Sequence, residues 1–364
     1  MLNLEFDAAQ NRLVDDLKAL AVETMRPFAA EAEASGEIPP AVRSAVESFG
    51  LPGADGFASG VGDPVSFCLA AEALAWADPG IAYAWLASRQ VAWIIAACGT
   101  GEQKQRWLRK FAADPFLPAS LYMHEGRGIA PSEVETQVRR RGNHLVVNGY
   151  KSPVMYPRTA AVSLVIGRDE SGEVAGLIFD EPGDAVAIKA DGGGRLAMSA
   201  CPMAIEARIE DLEIPVEGAL RSDGLLRALT ICRLAHASVC VGTAAAATRY
   251  AGEWAQKRIA FGKPIIAFQG VSFVLADLVM EADAARLGIL DLATADLDPA
   301  ELERRANAVV AEANQLIADA GREGVQIMGV AGVIHEHPQE RVYRSAAILA
   351  SIDFDPLNCE LILR

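Results

Sequence analysis

Arg258-Ile-Ala-Phe-Gly-Lys-Pro-Ile-Ile-Ala-Phe-Gln269 is the stretch on which the reading of this chain turns. It joins two segments with helical spacing of apolar residues, Leu225–Ile259 and Val271–Ala293. The first carries small residues (Ala235, Ala237, Ser238, Gly242, Ala244 to Ala247) that let another helix approach closely. Two further helical stretches follow, Pro299–Met328 and Gln339–Ala350. Long helices with short links predict an up-and-down bundle. Taken singly, Phe261 and Phe268 read as core residues and Arg258 as the partner of an acid.

Toward the N-terminus the texture changes twice. From about Phe116 to Pro215 the pattern is strand-like. Val134–Arg139 and His144–Gly149 alternate around Arg140-Arg141-Gly142-Asn143, a hairpin turn with a permissive glycine. Leu164–Ile166, Gly176–Phe179 and Ala204–Ile209 read as further short strands. Before them, Gln10–Ala34, Pro40–Phe49, Asp63–Trp76, Ile81–Cys98 and Gly101–Ala113 are helical, punctuated by Gly50, Pro52-Gly53, Pro79-Gly80 and Gly99. The expected organisation is therefore α+β: a helical domain (1–116), a β-domain (117–216) and a helical bundle (217–364).

Composition sets outer bounds. The chain has 364 residues, enough for two or three domains, and 51% of them are hydrophobic. A formal net charge of −15 disfavours nucleic acid and anionic membrane as general partners. No run of eighteen apolar residues is free of charge, and the acidic, amphipathic N-terminus is unlike a signal peptide. A soluble, cytoplasmic protein is expected. Six scattered cysteines, none in a CxxC pair, read as reduced, buried thiols.

Five segments carry a family resemblance. Arg258–Gln269 resembles R-x-x-F-G-x-x-[IL]-x-x-[FHY]-Q of the acyl-CoA dehydrogenases. Gln326-Ile-Met-Gly329-Val-Ala-Gly332 resembles Q-x-x-G-G-x-G, with Val330 for the second glycine. Glu340-Arg341-Val-Tyr-Arg344-Ser345-Ala346 resembles E-R-x-x-R-D-A, with Ser345 for the aspartate. Gly99–Leu108 resembles G-[TS]-x-E-Q-K-x-x-x-L, and Val147–Lys151 resembles L-N-G-x-K. The matches span nearly the whole chain in order.

The resemblance implies a helical domain, a β-barrel or sandwich and a four-helix bundle. It also implies FAD held across a subunit interface, the flavin ring on one subunit and the adenine end on its neighbour. Arg258, Phe261, Gln269, Gln326 and Gly329 would supply the neighbour's contacts. Arginine suits pyrophosphate as a bidentate cation, glutamine both donates and accepts, and glycine admits a ligand to the backbone. The implied reaction is α,β-dehydrogenation of an acyl-CoA or other acyl thioester, with an electron-transfer flavoprotein as electron acceptor and a dimeric or tetrameric assembly. Lipid or steroid side-chain degradation is the implied setting.

The ring side departs from the family. T-E-P-x-x-G-S-D becomes Met123-His124-Glu125-Gly126-Arg127-Gly128-Ile129-Ala130-Pro131-Ser132. Glu125 matches, and Ser132 is the shifted serine. K-x-[WF]-I-[TS] becomes Lys151-Ser152-Pro153-Val154-Met155, with Pro153 in place of the aromatic and Met155 in place of the hydroxyl donor. Tyr156 and Tyr122 are nearby hydroxyls. The reaction needs a carboxylate to take the α-proton while hydride leaves the β-carbon. The family's glutamate lies nine residues after the arginine matched by Arg344, which places Asp353 there. The alternative position before Arg233 holds Cys232, so Asp353 is the candidate base and Arg233 its neighbour. A helix cap or a solvated aspartate is the competing reading of Asp353.

Other constellations are weaker. His335-x-His337 is a poor metal signal, and no metal is expected. Gly192-Gly193-Gly194-Arg195 follows no clear strand and lacks a Walker lysine, so it reads as a loop. Arg139-Arg140-Arg141 reads as a solvated hairpin tip. Three functions stay open: a homomeric dehydrogenase with Asp353 as base; one subunit of a heteromeric dehydrogenase, lending Arg258, Gln269 and Gln326 to a partner's FAD; and a non-redox acyl-thioester-binding protein on the same fold.

Overall fold

The computed structural model describes residues 8–49, 63–126, 130–180, 183–189 and 197–353. Cys359 and the Gly192–Arg195 loop lie outside them. In the N-terminal region α1 (Ala8–Ala19), α2 (Ala29–Ser35), α3 (Pro40–Phe49), α4 (Pro64–Leu74), α5 (Pro79–Cys98) and α6 (Gly101–Ala113) pack together. The sequence suggests one helix over Gln10–Ala34. Instead a π turn at Leu20–Met25 and a 3-10 turn at Arg26–Phe28 interrupt it, because Pro27 has no N–H to give the preceding turn.

Helix starts follow side-chain capping. Asp63 accepts from the Val65 and Ser66 N–H groups, and Asp78 from those of Gly80 and Ile81. Thr100 and Gln103 form a reciprocal capping box. The Gln103 amide also donates to the carbonyls of Glu217 (2.8 Å) and Ala219 (2.9 Å), tying α6 to the chain leaving the β-region. That gives the Gly99–Leu108 match a structural role.

The β-region comprises β1 (Ala119–Tyr122), β2 (Gln137–Arg141), β3 (His144–Lys151), β4 (Val154–Met155), β5 (Val162–Arg168), β6 (Val174–Phe179), β7 (Val186–Lys189), β8 (Met203–Ala204) and β9 (Glu206–Pro215). The main sheet runs β1-β5-β2-β3-β9-β7, with β6 also on β5. β1 and β2 pair parallel to β5, and its other pairs are antiparallel. β5 is buried on both faces. Val162, Leu164 and Ile166 face the large helical core, and Val165 faces a separate core with Tyr122, Val147 and Leu177. That two-sided burial explains the unbroken apolar run of this strand.

Val134 to Thr136 do not join β2 as expected. The Glu125 carboxylate accepts from the N–H groups of Glu135 (2.6 Å) and Thr136 (3.0 Å), so those donors are lost to the sheet ladder.

The C-terminal bundle is α7 (Leu225–Lys257), α8 (Gln269–Thr294), α9 (Pro299–Met328) and α10 (Pro338–Ile352). α7 runs through the centre against α4, α5, α8, α9 and α10. Gly242 lets α4 in: a Cβ there would lie 2.2 Å from the Glu72 carbonyl oxygen. Helices α5 and α7 are long and apolar enough to cross a membrane by length and composition alone. Yet both are mostly buried inside the protein, which marks them as core helices. The five described cysteines are free and buried.

Candidate functional site

Central α7 presents Arg233, fully buried, toward the end of α10. Its Nε donates to Asp353 Oδ2 (2.7 Å) and its Nη2 to Asp353 Oδ1 (3.2 Å), a bidentate ion pair. Its Nη1 donates to Asn307 Oδ1 of α9 (2.7 Å). Asp353 is the C-cap residue of α10 and is 3% exposed, so it is not a solvated residue. Burial alone would raise its pKa, but the Arg233 charge and bonds outweigh burial and hold the carboxyl below its ordinary range. The base candidate is thus an ionised carboxylate at neutral pH.

A buried polar chain fixes the main chain of this residue. Asn314 of α9 donates to the Asp353 carbonyl, and its Oδ1 meets His236 Nε2 at 3.2 Å. His236 Nδ1 in turn meets the Tyr83 hydroxyl at 3.3 Å. One neutral tautomer satisfies both contacts, with Nε2–H donating to Asn314 and Nδ1 accepting from Tyr83. Burial lowers the His236 pKa and favours that neutral form. From the β-region His124 faces the same carboxylate, with Nδ1 3.9 Å from Asp353 Oδ1. Burial, the largest influence, depresses the His124 pKa to about 4 although Asp353 opposes it.

His124, Asn307, Asn314, His236 and Tyr83 were not candidates from sequence. Asn307 and Asn314 carry a signal: two amides seven residues apart share one face of α9, along with the buried Glu303.

The other candidates divide into two groups. Glu125 and Ser132 are engaged within the protein. Glu125 accepts from Lys151 Nζ (2.7 Å) as well as from Thr136 Oγ1 and the two main-chain donors. Burial would raise its pKa, but Lys151 and the hydrogen bonds leave it below the usual range. Burial also pulls the Lys151 ammonium down to about 8, against the opposing pull of Glu125. Ser132 offers its hydroxyl and its N–H (3.0 Å) to the Glu303 carboxylate of α9. Tyr156 donates to the Ala200 carbonyl (3.1 Å) and Tyr122 to that of Pro157 (3.4 Å).

The second group is on the outside. Arg258 and Gln269 are exposed at the two ends of a hairpin, β10 (Ile259–Ala260) and β11 (Lys263–Pro264). Phe261 and Gly262 make its tip with φ of 50° and 82°, the left-handed geometry that glycine adopts at no cost. Phe261 is not core: it is 95% exposed, with its ring edge-on to Phe268 at 6.1 Å between centroids. Ile265 and Ile266 behind the hairpin pack into one small cluster with Ile327 at the end of α9. That cluster brings the hairpin beside Gln326 and Gly329, both exposed. The five residues therefore share one outer region. A cationic side chain, two amides, an open aromatic face and an open backbone fit a phosphate-and-base ligand such as the adenine half of FAD. Glu125 and Ser132 offer less to the ring, since their oxygens already have partners.

Of the remaining motifs, Arg139 to Arg141 are exposed in β2. His335 pairs with Glu340 (3.0 Å), whereas His337 meets Tyr250 (2.7 Å), so the two rings do not converge. In the matched segment Glu340–Ala346, Arg341 pairs with Asp78 (2.9 Å), and Arg344 pairs with Glu340 (2.8 Å) and Glu33, locking α10 to the N-terminal helices.

Comparison with known proteins agrees with this layout. Residues 7–114 match the acyl-CoA dehydrogenase N-terminal domain and residues 224–353 its C-terminal domain. A probable acyl-CoA dehydrogenase of Bacillus subtilis is 27% identical over 365 residues, covering 96% of this chain and 95% of the relative. Cyclohex-1-ene-1-carbonyl-CoA dehydrogenase of Syntrophus aciditrophicus is 28% identical over 360 residues, 94% and 86% of the two chains. Among solved structures, butyryl-CoA dehydrogenase of Megasphaera elsdenii superposes with a TM-score of 0.80 at 22% identity, over 98% of this chain and 97% of that one. With matched domains at both ends and this fold between them, the chain belongs to the acyl-CoA dehydrogenase family.

Proposed function

We propose that this protein is a FAD-dependent acyl-CoA dehydrogenase whose α-proton acceptor is Asp353, held by Arg233. The observation that carries the assignment is the bidentate Arg233–Asp353 pair, buried where α7, α9 and α10 meet. A solitary carboxylate buried there would take up a proton and be useless as a base, whereas one paired with arginine stays ionised. Asn314 fixes its main chain and Asn307 fixes the arginine, so the carboxylate is pre-positioned rather than recruited on binding. FAD, when bound, supplies the hydride acceptor for the β-carbon. Arg258, Phe261, Gln269, Gln326 and Gly329 would hold its adenine half from the neighbouring subunit. The exposed apolar side chains Phe273, Met280 and Leu287 on α8 suit a subunit interface. The substrate is an acyl-CoA thioester of lipid or steroid side-chain breakdown, the electron acceptor is an electron-transfer flavoprotein, and the compartment is the reducing cytoplasm, consistent with the free buried thiols.

Asp353→Asn is the test. Flavin reduction on mixing with a series of saturated acyl-CoA thioesters should fall on the order of a hundredfold or more with binding retained. Undiminished reduction in this variant removes Asp353 from the chemistry.

One observation favours a heteromeric form. The residues suited to a neighbour's FAD are open, while Glu125 and Ser132 on the chain's own ring side are committed to Lys151 and Glu303. The visible spectrum and the mass of the protein purified alone separate the forms. A yellow homo-oligomer supports the homomeric enzyme. A colourless one supports a subunit that needs a flavin-binding partner.

A further inference from the structure

Arg233 takes both oxygens of Asp353, which leaves a weak base, and a second group faces that carboxylate. His124 follows β1, with its carbonyl pinned by the Ser152 N–H (2.8 Å), while Asp353 comes from the bundle. The contact therefore crosses from the β-region to the helices. Its 3.9 Å separation is beyond a hydrogen bond. Asp353 at the end of α10 faces the ring, and the other charged or titratable groups that act on it are Arg233 and His236 of α7 and Lys151 of β3. Arginine cannot accept a proton. Lys151 is committed to Glu125 and the Met123 carbonyl, and His236 to Tyr83 and Asn314. His124 remains as the facing group able to take one.

We propose that His124 is a positioning residue for proton removal: Asp353 Oδ1 and His124 Nδ1 are two acceptors with the hydrogen between them missing, and the reaction supplies it. The inference rests on Asp353 as the base. When the α-carbon C–H bond breaks, its electron pair becomes the new C=C π bond, and FAD, when bound, would supply the oxidant that takes the β-carbon hydride. The proton forms an O–H bond at Asp353. That O–H closes the gap to His124, and the proton passes to Nδ1 as the O–H bond breaks, leaving carboxylate and imidazolium paired. Arg233 holds Asp353 below its ordinary range, while burial holds His124 down at about 4.

The test needs no substrate at first. The chain has five histidines, so ¹⁵N spectra of histidine-labelled protein are simple, and His124→Gln assigns one signal by its loss. At neutral pH the His124 Nδ1 should read as a bare ring nitrogen. In Asp353→Asn, whose amide can donate, it should shift as a hydrogen-bond acceptor. An Nδ1 that already carries the proton overturns the proposal. In flavin reduction by acyl-CoA, His124→Gln should lower kcat about tenfold or more, with KM within about twofold. Unchanged kcat in a folded His124→Gln protein overturns it too. These outcomes are separate from the fate of the base assignment, which Asp353→Asn turnover alone decides.

Discussion

Arg233 and Arg258 mark one helix, the first in its N-terminal third and the second capping its end, and they live in opposite surroundings. Arg233 is fully buried and spends its guanidinium on Asp353 and Asn307. Arg258 is exposed beside a hairpin whose Phe261 ring stands in solvent. The inner arginine has its partners within the chain, so its position is determined by folding. The outer one belongs to a surface whose residue types suit a ligand or a second subunit. One arginine is thus internal to the subunit, and the other is offered outward.

The largest expected effect tests the inner side. Arg233→Met leaves the Asp353 carboxylate buried without its cation, and breaking a buried pair in this way costs about 3–5 kcal/mol. Urea unfolding followed by far-UV circular dichroism should show that loss. A change below about 1 kcal/mol would mean that Asp353 is solvated in the folded protein, and the contrast between the two arginines would dissolve.

Gly242→Ala comes next. The added methyl would sit 2.2 Å from the Glu72 carbonyl oxygen, and α4 must move to admit it. Overpacking of this kind costs about 1–3 kcal/mol, measurable in the same unfolding experiment. Because α7 also carries Arg233, the displacement should lower turnover as well. Wild-type stability in this variant would show that the α4–α7 contact is looser than the geometry states.

How much of this was readable in the sequence differs between the two sides. The hairpin and its outward residues lie in contiguous motifs, Arg258–Gln269 and Gln326–Gly329, so the family resemblance of those motifs brings them together as candidates, where the residues taken singly do not. The inner site draws on residues distant in sequence: Arg233, Asn307, Asn314, His124 and Asp353. Counting from Arg344 located Asp353, but nothing local foretold its two-point contact with Arg233. His124 stood in plain view within Met123-His124-Glu125, yet only the packing of the β-region against α10 gives it a carboxylate to face. Glu125 shows the converse. Its match to the family was legible, but its commitment to Lys151 and to the Glu135 and Thr136 N–H groups depends on a loop path that periodicity does not encode.

A pH experiment sharpens the inner site further. His124 falls from an ordinary value of 6.5 to about 4 in the folded protein. Between those values the unfolded chain binds a proton that the folded one refuses, so stability declines as pH drops from 6.5 toward 4. Asp353 acts in a lower window: its contribution is present above 3.8 and is lost as pH falls through its depressed folded value. Relative to His124→Gln, the wild type should lose roughly 2 kcal/mol between pH 7 and pH 5. Parallel stability curves for the two proteins over that range would show that burial does not depress the His124 pKa.

The smallest effect on folding is expected on the outer side, and it is the other half of the contrast. Arg258→Ala and Gln326→Ala remove exposed side chains, so unfolding should shift by no more than about 0.5 kcal/mol. Flavin occupancy should respond far more. A charge-assisted hydrogen bond to phosphate contributes about 1.5–3 kcal/mol, so losing it weakens FAD binding roughly tenfold to a hundredfold. In a homomeric enzyme the loss appears in the spectrum of the protein alone. In a heteromeric one it appears only after the flavin-binding partner is added, because the arginine then serves a cofactor that this chain does not carry. A variant that is destabilised yet retains its flavin would reverse the assignment, making Arg258 a structural residue and leaving Arg233 without its functional counterpart.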